Sequence, residues 1–208
     1  MTNVLIVDSA ATGDRSVSRR LTGELETILR GRGPVHIVHR DVGSDPVPHL
    51  TADTTPAIRG AEASTDSARA ALALSDALIA ELKSADLIVI GAPMYNFGIA
   101  STLKAWFDHV LRAGITFRYS EAGPEGLLKG RKAIVIESRA GLYSSGPSAP
   151  MDGQEPHLRT LLGFMGLDDV VFVRAEKLAF GPDQAAASIA EAIDALRALA
   201  AEELPLAA

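Results

Sequence analysis

The sequence predicts an α/β domain in which five parallel strands are wrapped by helices on both faces. Three observations carry this expectation. Short runs such as Val4–Val7, Leu87–Ile90 and Ala133–Ile136 are apolar at every position, as in strands buried on both sides. Between them lie segments whose apolar residues recur every three or four positions, the period of a helix packed by one face. The two kinds of segment alternate, the order that builds parallel sheets through crossover connections.

Element by element, the first strand covers residues 3–8, and polar, turn-prone residues follow from Ser9 to Ser16. Val17, Leu21, Leu25, Ile28 and Leu29 then mark one helical face, with Gly31 and Gly33 as its stop signal. Val35–His39 alternates like an edge strand. Residues 41–66 hold Pro46, Pro48 and Pro56 without periodicity and are expected to form a long excursion, functional or mobile. A helix over about 67–83 presents Leu72, Ile79 and Leu82, and the third strand occupies 85–91. Ile99, Leu103, Phe107 and Val110 define the next helix. In residues 115–129, Thr116–Tyr119 alternates and Gly123-Pro124 signals a turn, so an inserted hairpin is expected after helix 3. Strands over 133–136 and 170–173, a helix over 156–165 and a closing helix over 183–203 complete the chain.

The 208 residues suit one domain, 1–208, with a full core. A net charge of -6 argues against nucleic-acid binding, which needs a basic footprint. The absence of cysteine removes disulfides, thiolate metal sites, iron–sulfur clusters and thiol nucleophiles, so an organic cofactor must carry any electrons. The first apolar run is too short for a signal-peptide core or a membrane span, and a cytoplasmic location, with no membrane partner, is expected. His36 and His39 sit three apart on a strand and face opposite ways; neither H-E-x-x-H nor G-x-S-x-G occurs, and no metal site is expected.

Five strands of this kind fit the flavodoxin-like order 2-1-3-4-5, in which ligands sit beyond the carboxyl ends of strands 1 and 3. Three connectors therefore matter. The first, with Ser9, Thr12, Gly13, Ser16 and Ser18, places hydroxyls before a helix N-terminus and suits a phosphate, although a capped turn would read the same. It lacks both G-x-G-x-x-G and the Walker lysine. The second, Gly91-Ala92-Pro93-Met94-Tyr95-Asn96-Phe97-Gly98, offers flat and polarisable side chains with polar edges, suited to a heteroaromatic ring; core packing of Met94 and Phe97 is the alternative. The third, Ser138 to Gly146, is small and polar and lies beside the second in this strand order.

These segments resemble the FMN-dependent NADH azoreductases, or quinone reductases, of the flavodoxin-like superfamily. The resemblance runs through Ser9 with Ser16-Val17-Ser18, Ala92 to Phe97, Ala113 to Tyr119, Gly123 to Leu127 and Ser138 to Gly141, nearly the whole chain. It implies that Ser16, Val17 and Ser18 hold the FMN phosphate, that Met94, Tyr95, Asn96 and Phe97 line the ring, and that Ser9 and Pro93 also bind the cofactor. Ser138, Arg139, Ala140 and Gly141 would form its other edge. It further implies a homodimer with flavin near the interface, which would give Trp106 and Phe107 a role, although core packing explains them too. Two departures stand out: Ala10 where relatives carry a serine, and Ala140 where they carry glycine. The implied activity is ping-pong transfer from NADH or NADPH to quinones and aromatic azo compounds, the flavin rather than a catalytic side chain carrying the chemistry. Phe117, Tyr119 and Phe164 are the candidate substrate walls, and Arg59 and Arg139 candidate contacts to a nicotinamide phosphate. A flavodoxin-type electron carrier that does not oxidise NAD(P)H is the alternative.

Overall fold

The structure, a computed structural model, describes residues 1–202. In chain order, β1 (Thr2–Asp8) leads through one 3-10 turn into α1 (Val17–Arg32), then β2 (Val35–Asp41), α2 (Thr55–Ile58), α3 (Asp66–Ser84) and β3 (Leu87–Pro93). Then come α4 (Ser101–Val110), β4 (Phe117–Ser120), β5 (Gly123–Gly126), β6 (Lys132–Ser138), α5 (Glu155–Phe164), β7 (Asp169–Ala175) and α6 (Pro182–Glu202). Five of the strands form one parallel sheet in the order β2-β1-β3-β6-β7, and β4 pairs with β5 as a separate antiparallel hairpin. This is the expected doubly wound sheet, with Val35–Asp41 at one edge.

The continuous apolar runs are explained by a core on each face. Leu5, Val7, Ile88, Ile90 and Val135 point toward α3, α4 and α5. Their neighbours Val4, Ile6, Val89 and Ile134 point toward α1 and α6. Leu21, Leu25 and Leu29 of α1 are fully buried on that second face, each worth roughly 1.5–3 kcal/mol relative to exposure. Ser16 and Thr65 begin α1 and α3 as N-caps, accepting from Arg19 N and Ala68 N.

Several expectations shift. Gly31 lies inside α1 rather than ending it. The excursion contains the short helix α2, whose buried Ala57 and Ile58 anchor it. The hairpin turns at Glu121-Ala122, and Gly123-Pro124 opens the return strand: a hydrogen-bonded pairing of Ser120 with Gly123 leaves only two residues for the loop. Trp106 and Phe107 are fully buried and pack edge to face on each other, so core packing accounts for both and neither reaches a surface. The expected end of the last helix, residue 203, lies outside the described residues. Among the described residues no helix is long and apolar enough to cross a membrane.

Candidate functional site

The connectors after β1, β3 and β6 meet at a cleft of about 260 Å³ at the carboxyl end of the sheet, where the winding direction reverses between β1 and β3. The first connector contributes Thr12, Arg15, Ser16 and Val17; the second, Pro93, Met94 and Tyr95; the third, Ser138, Arg139 and Ala140.

At the first connector, Ser16 Oγ accepts from Arg19 N at 3.3 Å and lies 3.0 Å from Ser18 Oγ. The amides of Val17 and Ser18, at the first two helical positions, have no partner inside the helix and carry the positive end of its dipole. With the exposed Arg15 beside them, they make an anion-binding end. Ser9 is placed otherwise than expected. It is buried, its hydroxyl donates to the Gly91 carbonyl at 2.7 Å, and it fastens β1 to β3 instead of lining the cleft. Ala10 is also buried, and its backbone lies against Gly43.

The second connector is a tight turn. Tyr95 and Gly98 exchange both backbone hydrogen bonds at 3.0 Å, and the two residues between them, Asn96 and Phe97, sit at φ 47° and 69°. A two-residue loop with both residues left-handed matches the strand twist, yet Phe97 holds that conformation at a cost of order 1–2 kcal/mol. Its carbonyl accepts from Gly153 N at 2.9 Å, and its half-exposed ring meets the edge of Tyr143 at 6.0 Å. Tyr95 Oη accepts from the Ala11 amide at 3.0 Å, which joins this turn to the first connector. Asn96 and Phe97 stand outward from the turn rather than among the residues lining the cleft.

The third connector runs beside the turn following β7. The carbonyls of Arg139, Ala140 and Gly141 accept from the amides of Leu178, Ala179 and Lys177 at 3.2, 3.0 and 2.8 Å. Leu178 and Ala179 thereby join the cleft wall. Neither these two residues nor Arg15 is singled out by the pattern of the three connectors; for the first two, adjacency of the last two strands in the expected order is the available signal.

Backbone amides of residues 94–97 and 138–141 are the donors this end of the sheet can offer a ring. Three of them are already committed: Met94 N donates to Ser138 O, Tyr95 N to Gly98 O and Arg139 N to Ala175 O. Among the described residues, no protein acceptor meets the amides of Asn96, Phe97, Ala140 and Gly141. The side chain of Arg139 is fully buried among carboxylates, so it makes no contact with a nicotinamide phosphate. Arg59 is exposed at the end of α2. Phe117 is buried, with Phe164 and Tyr119 packed against it at ring distances of 4.6 and 5.6 Å. The three form a cluster of their own and do not line this chain's cleft, because the hairpin docks on the α5–β7 turn rather than over the sheet's rim.

The cleft thus joins an anion-binding end to an apolar end of Pro93, Met94 and Leu178 that carries free amides. A ring with a polar edge and a phosphate on a tether fits those groups. Such a site at the switch point of this sheet defines a flavodoxin-like protein, and a family model described as "Flavodoxin-like fold" matches residues 2–200. Within that fold the chain belongs to the family of FMN-dependent NADH:quinone oxidoreductases and azoreductases. It is 47% identical over 191 residues to the FMN-dependent NADH:quinone oxidoreductase of Sinorhizobium fredii, covering 91% of this chain and 93% of the relative. The corresponding protein of Hyphomonas neptunium is 62% identical over 107 residues, a match that covers 51% of each chain. Among solved structures, an azoreductase from Bacillus anthracis strain Sterne superposes with a TM-score of 0.87 at 27% identity, over 96% of this chain and 99% of that one. An FMN-dependent NADH-azoreductase of the Ames Ancestor strain, solved with FMN, gives 0.87 at 26% over 97% and 98%.

Proposed function

We propose that the chain is an FMN-dependent NADH:quinone oxidoreductase, acting as a single cytoplasmic FMN-binding domain. Electrons pass in ping-pong order from NADH (or NADPH) to quinones and to aromatic azo compounds, which are cleaved to amines. The observation that carries this reading is the cleft itself, with helix amides and Arg15 at one end and a flat apolar wall with free amides at the other. The relatives' names point the same way.

Bound FMN supplies hydride acceptance and donation, and the protein contributes orientation and electrostatics. Val17 and Ser18 offer their amides to the phosphate, with Ser16 holding that helical turn and Arg15 adding charge. Pro93 and Met94 present the apolar wall, and Tyr95 fixes the wall to the phosphate connector. The amides of Ala140 and Gly141, which meet no protein acceptor, would donate to the polar edge of the ring, and preorganised donors of this kind stabilise charge without reorienting. One open face lets nicotinamide and acceptor occupy the same place in turn.

At about 260 Å³ the cleft falls below the roughly 300–1,000 Å³ of most small-molecule pockets. One chain therefore encloses part of a flavin, which supports a homodimer whose second copy completes the site. Tyr119, 73% exposed on its hairpin and outside its own chain's cleft, would in this reading serve the partner's cleft.

The test is to add FMN to the purified chain and follow NADH oxidation with a quinone and with an azo dye. Anaerobic bleaching of the bound flavin by NADH, reversed by either acceptor, supports the enzyme. A bound flavin that ignores nicotinamides supports the carrier, and a chain that takes up no FMN overturns both.

A further inference from the structure

Behind the third connector lies an ionic cluster that the proposed chemistry leaves unused. Arg139 follows directly on β6, and its side chain is wholly buried. Its Nε donates to Gln154 Oε1 at 2.9 Å, and its Nη1 donates to Glu176 Oε1 at 3.2 Å and lies 3.0 Å from Asp152 Oδ2. Nη2 is 2.7 Å from Glu137 Oε2 and 3.9 Å from Glu155 Oε2. Gln154, equally buried, turns its amide the other way and donates from Nε2 to the Ala92 carbonyl at 2.7 Å. Glu176 in turn accepts from the amides of Tyr143 and Ser144 at 2.8 and 3.0 Å, and Asp152 accepts from those of Gln154 and Glu155 at 2.9 and 3.1 Å.

One guanidinium thus joins the ends of β3, β6 and β7 to the start of α5. Burying so many charges is a poor route to stability, because desolvation offsets most of the attraction and apolar side chains of equal volume would serve as well. What the cluster does supply is position. The fork of Arg139 is planar and rigid, and the Gln154 amide spans the remaining gap to Ala92, one residue before the Pro93–Tyr95 wall.

We propose that Arg139 and Gln154 are positioning residues that set the distance between the 93–95 and 138–141 segments, and so aim the flavin-facing groups without their side chains touching the cofactor. This rests on the flavin reading of the cleft. Small displacements of such segments weaken a ligand far more than they weaken a fold, since a donor misplaced by about 1 Å no longer meets the ligand's acceptor.

The experiment uses the full chain with FMN and with riboflavin, which lacks the phosphate. Gln154→Met keeps every charge and nearly the same volume but cuts the links to Ala92 and to Arg139 Nε; Arg139→Lys keeps the charge and removes the fork. Leu196→Ala, on α6 in the core of the opposite face, is the control for general loosening. Dissociation constants come from fluorescence titration well below each variant's unfolding midpoint, and the flavin's midpoint potential is measured alongside. Gln154→Met and Arg139→Lys are expected to weaken FMN and riboflavin by the same factor, roughly tenfold, and to shift the potential. Leu196→Ala is expected to change neither. Wild-type affinity and potential in both cluster variants, or losses no greater than those of Leu196→Ala, overturn the proposal while the flavin reading stands. Failure of the unmutated chain to bind either flavin instead removes the reading beneath it.

Discussion

The phenol oxygen of Tyr95 accepts a hydrogen bond from the Ala11 amide at 3.0 Å, joining residues 84 positions apart. It couples the segment proposed to hold the phosphate to the one proposed to hold the ring. Tyr95→Phe leaves the Ala11 amide to water, so stability should fall by only about 0.5–1.5 kcal/mol. FMN affinity should fall several-fold, because the two connectors then move independently. Urea unfolding and flavin titration on the same preparation separate the two effects.

Ser16 caps α1 and, in the proposed reading, holds the phosphate-binding turn in place; Ser16→Ala removes the cap. Loss of the cap on Arg19 N should cost about 1 kcal/mol. If the amides beyond it hold the phosphate, the preference for FMN over riboflavin should narrow. An unchanged ratio would place the phosphate elsewhere.

The hairpin docks through two glycines. A Cβ on Gly126 would collide with the backbone of Met165 and Gly166, and Gly166 itself has φ 89°. Backbone cannot yield as a flexible side chain does, so Gly126→Ala should destabilise by more than about 2 kcal/mol. Since the proposed dimer brings the hairpin's Tyr119 to the partner's cleft, the variant should also bind FMN more weakly than the wild type. Thermal unfolding and FMN titration of the same variant are the check.

Burial pushes the Glu137 carboxyl up to about 7, and the neighbouring Glu155 carboxylate adds to this, against the pull of Arg139 and Arg174. Between its ordinary 4.5 and about 7 the folded chain holds this proton more tightly than the unfolded chain. Its contribution to stability is therefore present below that window and lost as pH rises through it, by up to roughly 3 kcal/mol. His109, lowered from 6.5 chiefly by burial, acts in the opposite sense. The difference between the wild type and Glu137→Gln isolates the carboxyl. That difference should shrink as pH falls from about 7 toward 4.5 in guanidinium titrations, and a difference independent of pH would contradict the assignment.

Much of the architecture is legible before any coordinates. Apolar runs with no polar face identify β1, β3 and β6 because each of these strands packs helices on both sides. The doubly wound order then singles out the connectors after Asp8, Pro93 and Ser138 as the place for a ligand. Less legible is which groups within a connector are free. Ser9 and Arg139 are polar residues in the right segments, yet one hydroxyl is committed to Gly91 and one guanidinium to a buried cluster. Tyr95 is read correctly as part of the second connector, but its partner Ala11 has no side chain that could announce the bond.

Local pattern alone determined the element types, the parallel sheet and the rim that bears the cleft, because periodicity and strand succession are properties of neighbouring residues. Only the tertiary structure decided how polar groups were shared out: which amides remain open, where the hairpin docks, and that Leu178 and Ala179 close the wall. Many of these hydrogen-bonding groups are satisfied by what lies across the fold from them, tens of residues away, where no spacing rule reaches.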